Sequence, residues 1–567
     1  MVDHPWIKSY PAGVRWDVEL PAHPVQDIID ASAAQWPALP AIDFMGRKLS
    51  YRELAQLTDR AAAGFQRLGV KPGVHVGLYL PNTPHYIVAF FGVLKAGGVV
   101  VNYSPLDAEK VLEHKVEDSR TEIMVTLDLQ AMAPQMLRLL DQTALRALVV
   151  GNVAEMSGAP AAVARQMKQA GQLAELPSNP RLHSFDSLLD NDSRFTAHGI
   201  GDPRDALAVL QYTGGTTGQP KGAMLTHGNL TTACSQIWAV TQGDTKVIDV
   251  GLEKLLVVLP LFHIYALTAD MLFGLQIGAE LVLHLRFDLD AAVRDLSAKR
   301  ITCFPGVPTM FTAILSHPDA AKIDLSSLKH CNSGGAPLPL EVQQRFQQLT
   351  GCPLNEGWGM TETSPTGTFT PTFGPRKAGS CGLPVPGAVI KMVDVNDPAR
   401  EVPLGERGEM CIRGRNVMKG YWNNPDATRA SMTADGFFRT GDVGIMDEDG
   451  FVFIVDRTKD MILCGGYNVY PRNIEEAIYA HPSVAEVSVI GIPDAYRGQS
   501  PKAFIALKPG APSLTLDELK AFLADRLGKH EMVQSMELRD SLPKTPVGKL
   551  SKKELYAEEE AKRASPP

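Results

Sequence analysis

Cysteine is scarce and scattered, with seven residues in 567, no CxxC pair and no Cys/His cluster. That excludes a disulfide framework and a structural zinc site, and it fits a reducing compartment. A basic excess is also lacking, since 55 Lys and Arg stand against 63 Asp and Glu for a net charge of −8. Nucleic acid is therefore not an expected partner. No long hydrophobic run survives inspection: the most apolar stretch, Leu255–Leu285, is interrupted by Pro260, His263, Asp270 and Glu280 and does not read as a membrane span. The opening M-V-D-H-P-W-I-K-S-Y has neither signal-peptide nor transit-peptide composition, so a cytoplasmic location is expected. Internal repeats and low-complexity segments are missing as well. What remains is 44% hydrophobic and 21% charged, the make-up of a globular protein long enough for more than one domain.

After an irregular Pro- and Trp-bearing arm, a helix is signalled over Ser50–Leu68. Ser50 and Glu53 form an S-x-x-E capping box, and Leu54, Leu57, Ala61, Phe65 and Leu68 recur at helical spacing. Gly69 and Pro72-Gly73 stop it. The runs His75–Leu80, Val99–Val101, Glu122–Leu127 and Ala147–Val150 read as strands, with Pro84–Lys95 as a helix between the first two. This alternation is the signature of an α/β sheet. Residues 130–200 carry no chemical motif and read as a surface elaboration. The alternation then resumes through Lys254–Leu259, Glu280–Leu285, Ile301–Phe304, Leu328–Ser333 and Leu354–Gly357. Beyond Gly405 short hairpin strands take over, and after Arg457 comes a small α+β unit whose second helix is capped by Thr515 and Glu518. The expected architecture is α/β: an N-terminal domain (1–456) of β-sheets flanked by helices, and a small C-terminal α+β domain (457–567).

The chain is organised around Tyr212–Gly222, Y-T-G-G-T-T-G-Q-P-K-G, which follows the strand-like run Leu207–Leu210 and precedes a helix-like segment from His227. Glycines let backbone N–H groups approach a polyphosphate, threonine hydroxyls add donors and Lys221 adds charge. The spacing fails the Walker A template, so a phosphate loop of another class is the sharper reading. Four further stretches accompany it: Gly357-Trp358-Gly359-Met360-Thr361-Glu362, Phe438-Arg439-Thr440-Gly441-Asp442, Asp456-Arg457-Thr458-Lys459-Asp460 running on to Gly465-Gly466-Tyr467-Asn468, and Pro543–Lys549. In this order and spacing they resemble the adenylate-forming superfamily of acyl-CoA synthetases, adenylation domains and luciferases over almost the whole chain. Within it, bacterial long- and medium-chain fatty acyl-CoA synthetases look most similar.

The resemblance implies the roles. A carboxylate attacks the α-phosphate of ATP to give an acyl-adenylate and pyrophosphate, and the thiol of coenzyme A then displaces AMP. Thr213, Gly214, Gly215, Thr216, Thr217 and Gly218 would hold the β/γ-phosphates, with Lys221 nearby. Glu362 would bind Mg²⁺, Thr361 would donate to the α-phosphate, and Lys549 would bridge carboxylate and α-phosphate oxygens. Asp442 and Arg457 would hold the ribose, and adenine would lie beside Gly334-Gly335-Ala336-Pro337 and the Gly357-Trp358-Gly359-Met360 turn. His263, Tyr265 and Gly306 would border the acyl pocket, Gly465, Gly466 and Tyr467 the pantetheine arm, and Lys459 would be the hinge of a mobile C-terminal domain. Taken singly, Glu362 reads as a solvated loop acid, Asp442 as a turn cap, Arg457 as a surface ion pair and Lys549 as a tail lysine; the conjunction sets those readings aside.

The expected activity is ATP-dependent ligation of a medium- or long-chain carboxylic acid to coenzyme A. An acyl-AMP ligase serving a carrier protein, a ligase for an aromatic or dicarboxylic acid, and an inactive lipid- or nucleotide-binding protein stay open as alternatives. A homodimer stays open too, as does peripheral membrane contact, because fatty acids partition into bilayers although no basic amphipathic helix announces it.

Overall fold

The computed structural model describes residues 4–213, 220–457, 460–464, 467–494, 496–545 and 548–564. Two large sheets dominate. The first has eight strands in the order Gly420–Tyr421, Lys221–Thr226, Leu207–Thr213, Val99–Asn102, His75–Leu78, Thr121–Leu127, Ala147–Gly151 and Leu182–Ser184. The second has seven: Leu354–Glu356, His330–Ser333, Cys303–Gly306, Lys254–Val257, Glu280–Leu283, Pro40–Phe44 and Arg47–Ser50. Inner strands such as His75–Leu78 and Val99–Asn102 are parallel and buried along their whole length. Continuous apolar runs are what a sheet covered on both faces requires.

Between the sheets lie the helices foreseen from periodicity. Tyr51–Arg67 starts at the expected capping box: the Ser50 N–H donates to Glu53 at 2.8 Å and the Glu53 N–H donates back to Ser50 Oγ at 3.3 Å. It packs closely on Pro84–Lys95, where a Cβ on Gly92 would stand 2.5 Å from the Ala61 methyl.

Two expectations change. Residues 130–200 do more than decorate the surface, because Leu182–Ser184 extends the first sheet and Phe185 and Leu188 enter the core. The helix Pro160–Gln169, which buries none of its residues, and the stretches 170–180 and 191–200 do fit the surface reading. The segment after the glycine loop is also a strand before it is a helix: Lys221–Thr226 runs antiparallel to Leu207–Thr213, pairing Lys221 with Thr213. Gly214, Gly215, Thr216, Thr217 and Gly218 lie outside the described residues.

A four-stranded antiparallel sheet follows (Val389–Val393, Arg407–Arg413, Phe438–Met446, Val452–Arg457). From residue 460 on, a separate five-stranded sheet packs against the helices Pro471–Tyr479 and Leu516–Leu523 around its own apolar cluster. The Thr515–Glu518 capping box forms there as expected.

Candidate active site

A continuous cavity of about 1230 Å³ opens where the second sheet, the antiparallel sheet and the C-terminal unit meet. All five motif segments reach it, bringing in Thr213, Lys221, Gly357–Glu362, Asp442, Arg457 and Lys549, and Gly334–Pro337 lies beside them.

The segment after Leu354–Glu356 folds back on itself. The Trp358 N–H donates to Thr368 Oγ1 at 3.0 Å, and the Thr368 N–H returns to the Trp358 carbonyl at 2.9 Å. Closure is so tight that a Cβ on Gly359 would sit 1.4 Å from the Pro365 carbonyl oxygen. The fold-back places Glu362 in a short 3-10 turn, 6% exposed, with its carbonyl accepting from Met418 N at 2.7 Å. Burial raises the Glu362 carboxyl, partly offset by the Tyr421 hydroxyl, which donates to Oε1 at 2.8 Å. Lys221 Nζ lies 5.2 Å from the centre of the same tyrosine ring.

Asp442 and Arg457 stand opposite each other across neighbouring antiparallel strands. Arg457 Nε is 3.0 Å from Asp442 Oδ1, while Trp358 Nε1 donates to Oδ2 at 2.8 Å. Both carboxylate oxygens are thus oriented before any ligand arrives, and Trp358 acts as wall and donor at once.

Lys549 enters from the C-terminal unit. Its turn is closed by Gly548 (φ +80°) and tied to the other side by Thr309 Oγ1, which donates to the Gly548 carbonyl at 2.7 Å. The lysine lies against Gly335, where a Cβ would meet Cε at 2.4 Å and Nζ at 2.6 Å. Gly335 has φ +77°, so glycine is suited to this position on backbone grounds as well. Burial and the Arg457 charge lower the Lys549 ammonium to about 8, against the opposing pull of Asp442. His263 lines the same space, lowered to about 3 by burial and by Lys549. Its Nδ1 accepts the Tyr265 N–H at 3.2 Å, which leaves the proton on Nε2. Tyr265 packs on Gly334, where a Cβ would meet the ring at 2.9 Å, and its hydroxyl donates to the Asn332 carbonyl at 3.1 Å.

Beyond His263 the walls turn apolar. Ile237 and Val240 come from the helix His227–Val240, Ala269 from the π-helical turn Ala266–Leu272, Phe273 from the helix after it, and Leu255 from the sheet.

Gly306 is a correction. It is not among the residues lining the cavity, and its Cβ position faces Phe311 at 3.0 Å. Alternation along Cys303–Gly306 turns Cys303 and Pro305 inward, and Phe304 and Gly306 toward the outer helix layer. Tyr467 also stands outside the cavity, 61% exposed with its ring 4.9 Å from His530. Gly465, Gly466 and Lys459 lie outside the described residues. Tyr421 and Thr309 are site residues that the sequence reading did not find. Tyr421 sits on a two-residue edge strand paired with Ala223, with no periodic pattern to mark it.

The family model described as AMP-binding enzyme matches residues 29–422, and that for the AMP-binding enzyme C-terminal domain matches 473–549. The chain belongs to the AMP-binding enzyme family. A long-chain-fatty-acid–CoA ligase of Bacillus subtilis (strain 168) is 39% identical over 561 residues, 98% of either chain. Among solved structures, the anthranilate CoA ligase AuaEII in complex with anthranoyl-AMP matches with a TM-score of 0.84 at 25% identity, covering 97% of this chain and 99% of that one. The o-succinylbenzoate coenzyme A synthetase of Bacillus subtilis, in complex with ATP and magnesium ion, matches with a TM-score of 0.74 at 26% identity, covering 92% and 98%. Among the described residues no helix is long and apolar enough to cross a membrane, and no group of three His, Cys, Asp or Glu residues is arranged to hold a metal.

Proposed function

We propose that this family member is an AMP-forming, ATP-dependent fatty acid–CoA ligase acting on long-chain aliphatic acids. The observation that carries the reading is the cavity itself. A half-buried lysine and a neutral histidine stand at the level of Gly334-Gly335, and an apolar channel leads away from them between Ile237, Phe273 and Leu255. A fatty acid has one charged end and one long apolar end, and this space offers a match for each.

In the first step a carboxylate oxygen bonds to the α-phosphorus of ATP and the bond to pyrophosphate breaks. Lys549 neutralises charge on the entering carboxylate and the α-phosphate oxygens, the Nε2–H of His263 donates to the carboxylate, and Thr361 donates to the α-phosphate. Asp442, held from two sides, accepts from the ribose hydroxyls with Arg457 beside it. Thr213 through Gly218 and Lys221 receive the β/γ-phosphates. Preorganised donors of this kind suit phosphoryl transfer, where positioning and charge neutralisation dominate. In the second step the thiol of coenzyme A, deprotonated, attacks the acyl carbon and AMP leaves. Gly465, Gly466 and Tyr467 are assigned to the pantetheine arm and Lys459 to the hinge, with the domain boundary at 456/457. Tyr467 stands clear of the cavity while Lys549 fills its place there.

Mg²⁺ fits Glu362. The carboxylate is a hard oxygen donor at the cavity wall, with one oxygen already fixed by Tyr421. When bound, the metal would supply charge neutralisation to the phosphates.

A panel of straight-chain acids of graded length, with an aromatic and a dicarboxylic acid beside them, tests the reading through coenzyme A-dependent AMP release. The expected result is a maximum among the long aliphatic acids. A maximum at the aromatic or dicarboxylic acid overturns it.

A further inference from the structure

Polar side chains interrupt the apolar channel, among them Thr241, whose hydroxyl donates to the Trp238 carbonyl at 2.8 Å, and His330. Along the strand His330–Ser333, Cys331 and Ser333 are fully buried, while His330 and Asn332 face the cavity. Asn332 is engaged, its Nδ2 donating to the Tyr265 hydroxyl at 2.9 Å. His330 is not: Nδ1 is buried with no partner, and the ring makes no hydrogen bond to a described residue. Its neighbour across the strand pairing is Cys303, itself paired with Leu255, so the histidine lies in a row of otherwise weakly polar groups. Gly334 marks the level of the catalytic lysine, and four residues of strand place His330 roughly 13 Å further down the channel. Burial lowers the ring to about 4, so it is a neutral imidazole at working pH. A neutral imidazole always carries one N–H donor and one bare nitrogen acceptor.

We propose that His330 reads an oxygen substituent, a hydroxyl or a keto group, carried part-way along the acyl chain, so that oxygenated fatty acids are among the acids this channel selects. The inference rests on the fatty acid–CoA ligase reading. A plain methylene chain threaded past His330 leaves both ring nitrogens unmatched in an apolar wall, and leaving a buried polar group unmatched is costly. Nδ1 is closed off by protein, so a hydroxyl at that depth pairs with Nε2, donating to it or accepting from it as the tautomer allows. A site with a hydrogen-bonding group in place discriminates against analogues that lack the partner far more strongly than an apolar pocket discriminates by size.

The test uses the full chain and a set of straight-chain acids of one length, unsubstituted or carrying a single hydroxyl moved along the chain, with kcat/KM read from AMP release. The wild type is expected to show a peak at one mid-chain position, roughly tenfold above its neighbours. His330→Leu is expected to flatten that peak and to raise kcat/KM for the unsubstituted acid, and His330→Gln to retain part of it. A flat positional profile in the wild type, or a peak that survives His330→Leu unchanged, overturns the proposal and leaves His330 as a wall residue facing water. The wild-type profile decides the matter even where the leucine variant fails to fold. If no acid in the set supports AMP release, the ligase reading itself fails and this inference falls with it, an outcome distinct from activity with a flat profile.

Discussion

Glu362 is a carboxylate that its surroundings work against. Burial raises its affinity for a proton, yet a metal ligand must be ionised. The Tyr421 hydroxyl at 2.8 Å offsets part of that cost and fixes the carboxylate's rotation through Oε1. Tyr421 is itself held in its protonated, donating form, by burial first and by the Glu362 charge second. A hydrogen bond to a charged group contributes about 1.5–3 kcal/mol. Tyr421→Phe keeps the ring under Lys221 and removes only this bond. The expected outcome is a rise of roughly tenfold or more in the Mg²⁺ concentration needed for half-maximal adenylate formation. Direct Mn²⁺ binding to the ATP-bound protein should weaken in parallel. An unchanged metal requirement would remove Tyr421 from the site and weaken the assignment of Glu362.

At the scale of elements, the turn from Gly357 to Thr368 is the most constrained piece of the site. Trp358 and Thr368 close it with two hydrogen bonds, and a Cβ on Gly367 would meet the Trp358 ring at 2.2 Å. Gly359→Ala cannot be accommodated by a side chain moving aside, because the obstacle is the backbone oxygen of Pro365 at 1.4 Å. The turn must open, carrying Thr361 and Glu362 with it. Misplacing catalytic groups by about 1 Å costs on the order of 100-fold in rate. Gly359→Ala should therefore lose at least that much adenylate formation while far-UV circular dichroism stays near wild type; a variant within threefold of wild type would show that the turn yields cheaply. The sequence motif was legible as Gly-Trp-Gly-Met-Thr-Glu, but the reason for its second glycine was not, since Pro365 meets Gly359 only after the turn folds. Capping boxes at Ser50 and Thr515 were legible because both partners lie within four residues. The strand Lys221–Thr226 was not, because its polar first residue and its pairing to Leu207–Thr213 on one side and Gly420–Tyr421 on the other blur any alternation. The misplacement of Gly306 has a similar origin, as a strand's inward face is set by neighbours distant in sequence.

At the scale of the whole molecule, Lys549 reaches the cavity from the C-terminal unit, and several contacts among the described residues tie that unit to the rest of the chain. The Thr309–Gly548 hydrogen bond is one, the Arg472 N–H donating to Asp456 Oδ2 at 2.9 Å is another, and Lys508 pairs with Glu341 at 3.5 Å. The last is solvent-exposed and contributes about 0–1 kcal/mol. We expect this closure to open between the two half-reactions, whose needs differ. Gly335 supplies the clearance. A methyl group there would occupy the place of Cε and Nζ, so Gly335→Ala should exclude the lysine without touching its charge or its turn. Loss of one well-placed donor to developing charge costs roughly 100- to 1000-fold. Gly335→Ala and Lys549→Ala are each expected to reduce adenylate formation by at least that lower factor, while thioester formation from prepared acyl-adenylate and coenzyme A is nearly spared. In the wild type, kcat/KM of the first half-reaction alone should fall as pH rises through about 8, because the lowered lysine there loses the proton that makes it useful. The double variant separates this account from simple damage to the adenine wall. Two substitutions that remove the same interaction are not additive, so the double variant should be no slower than the worse single one. Losses that multiply would mean that Gly335 serves the nucleotide rather than the lysine.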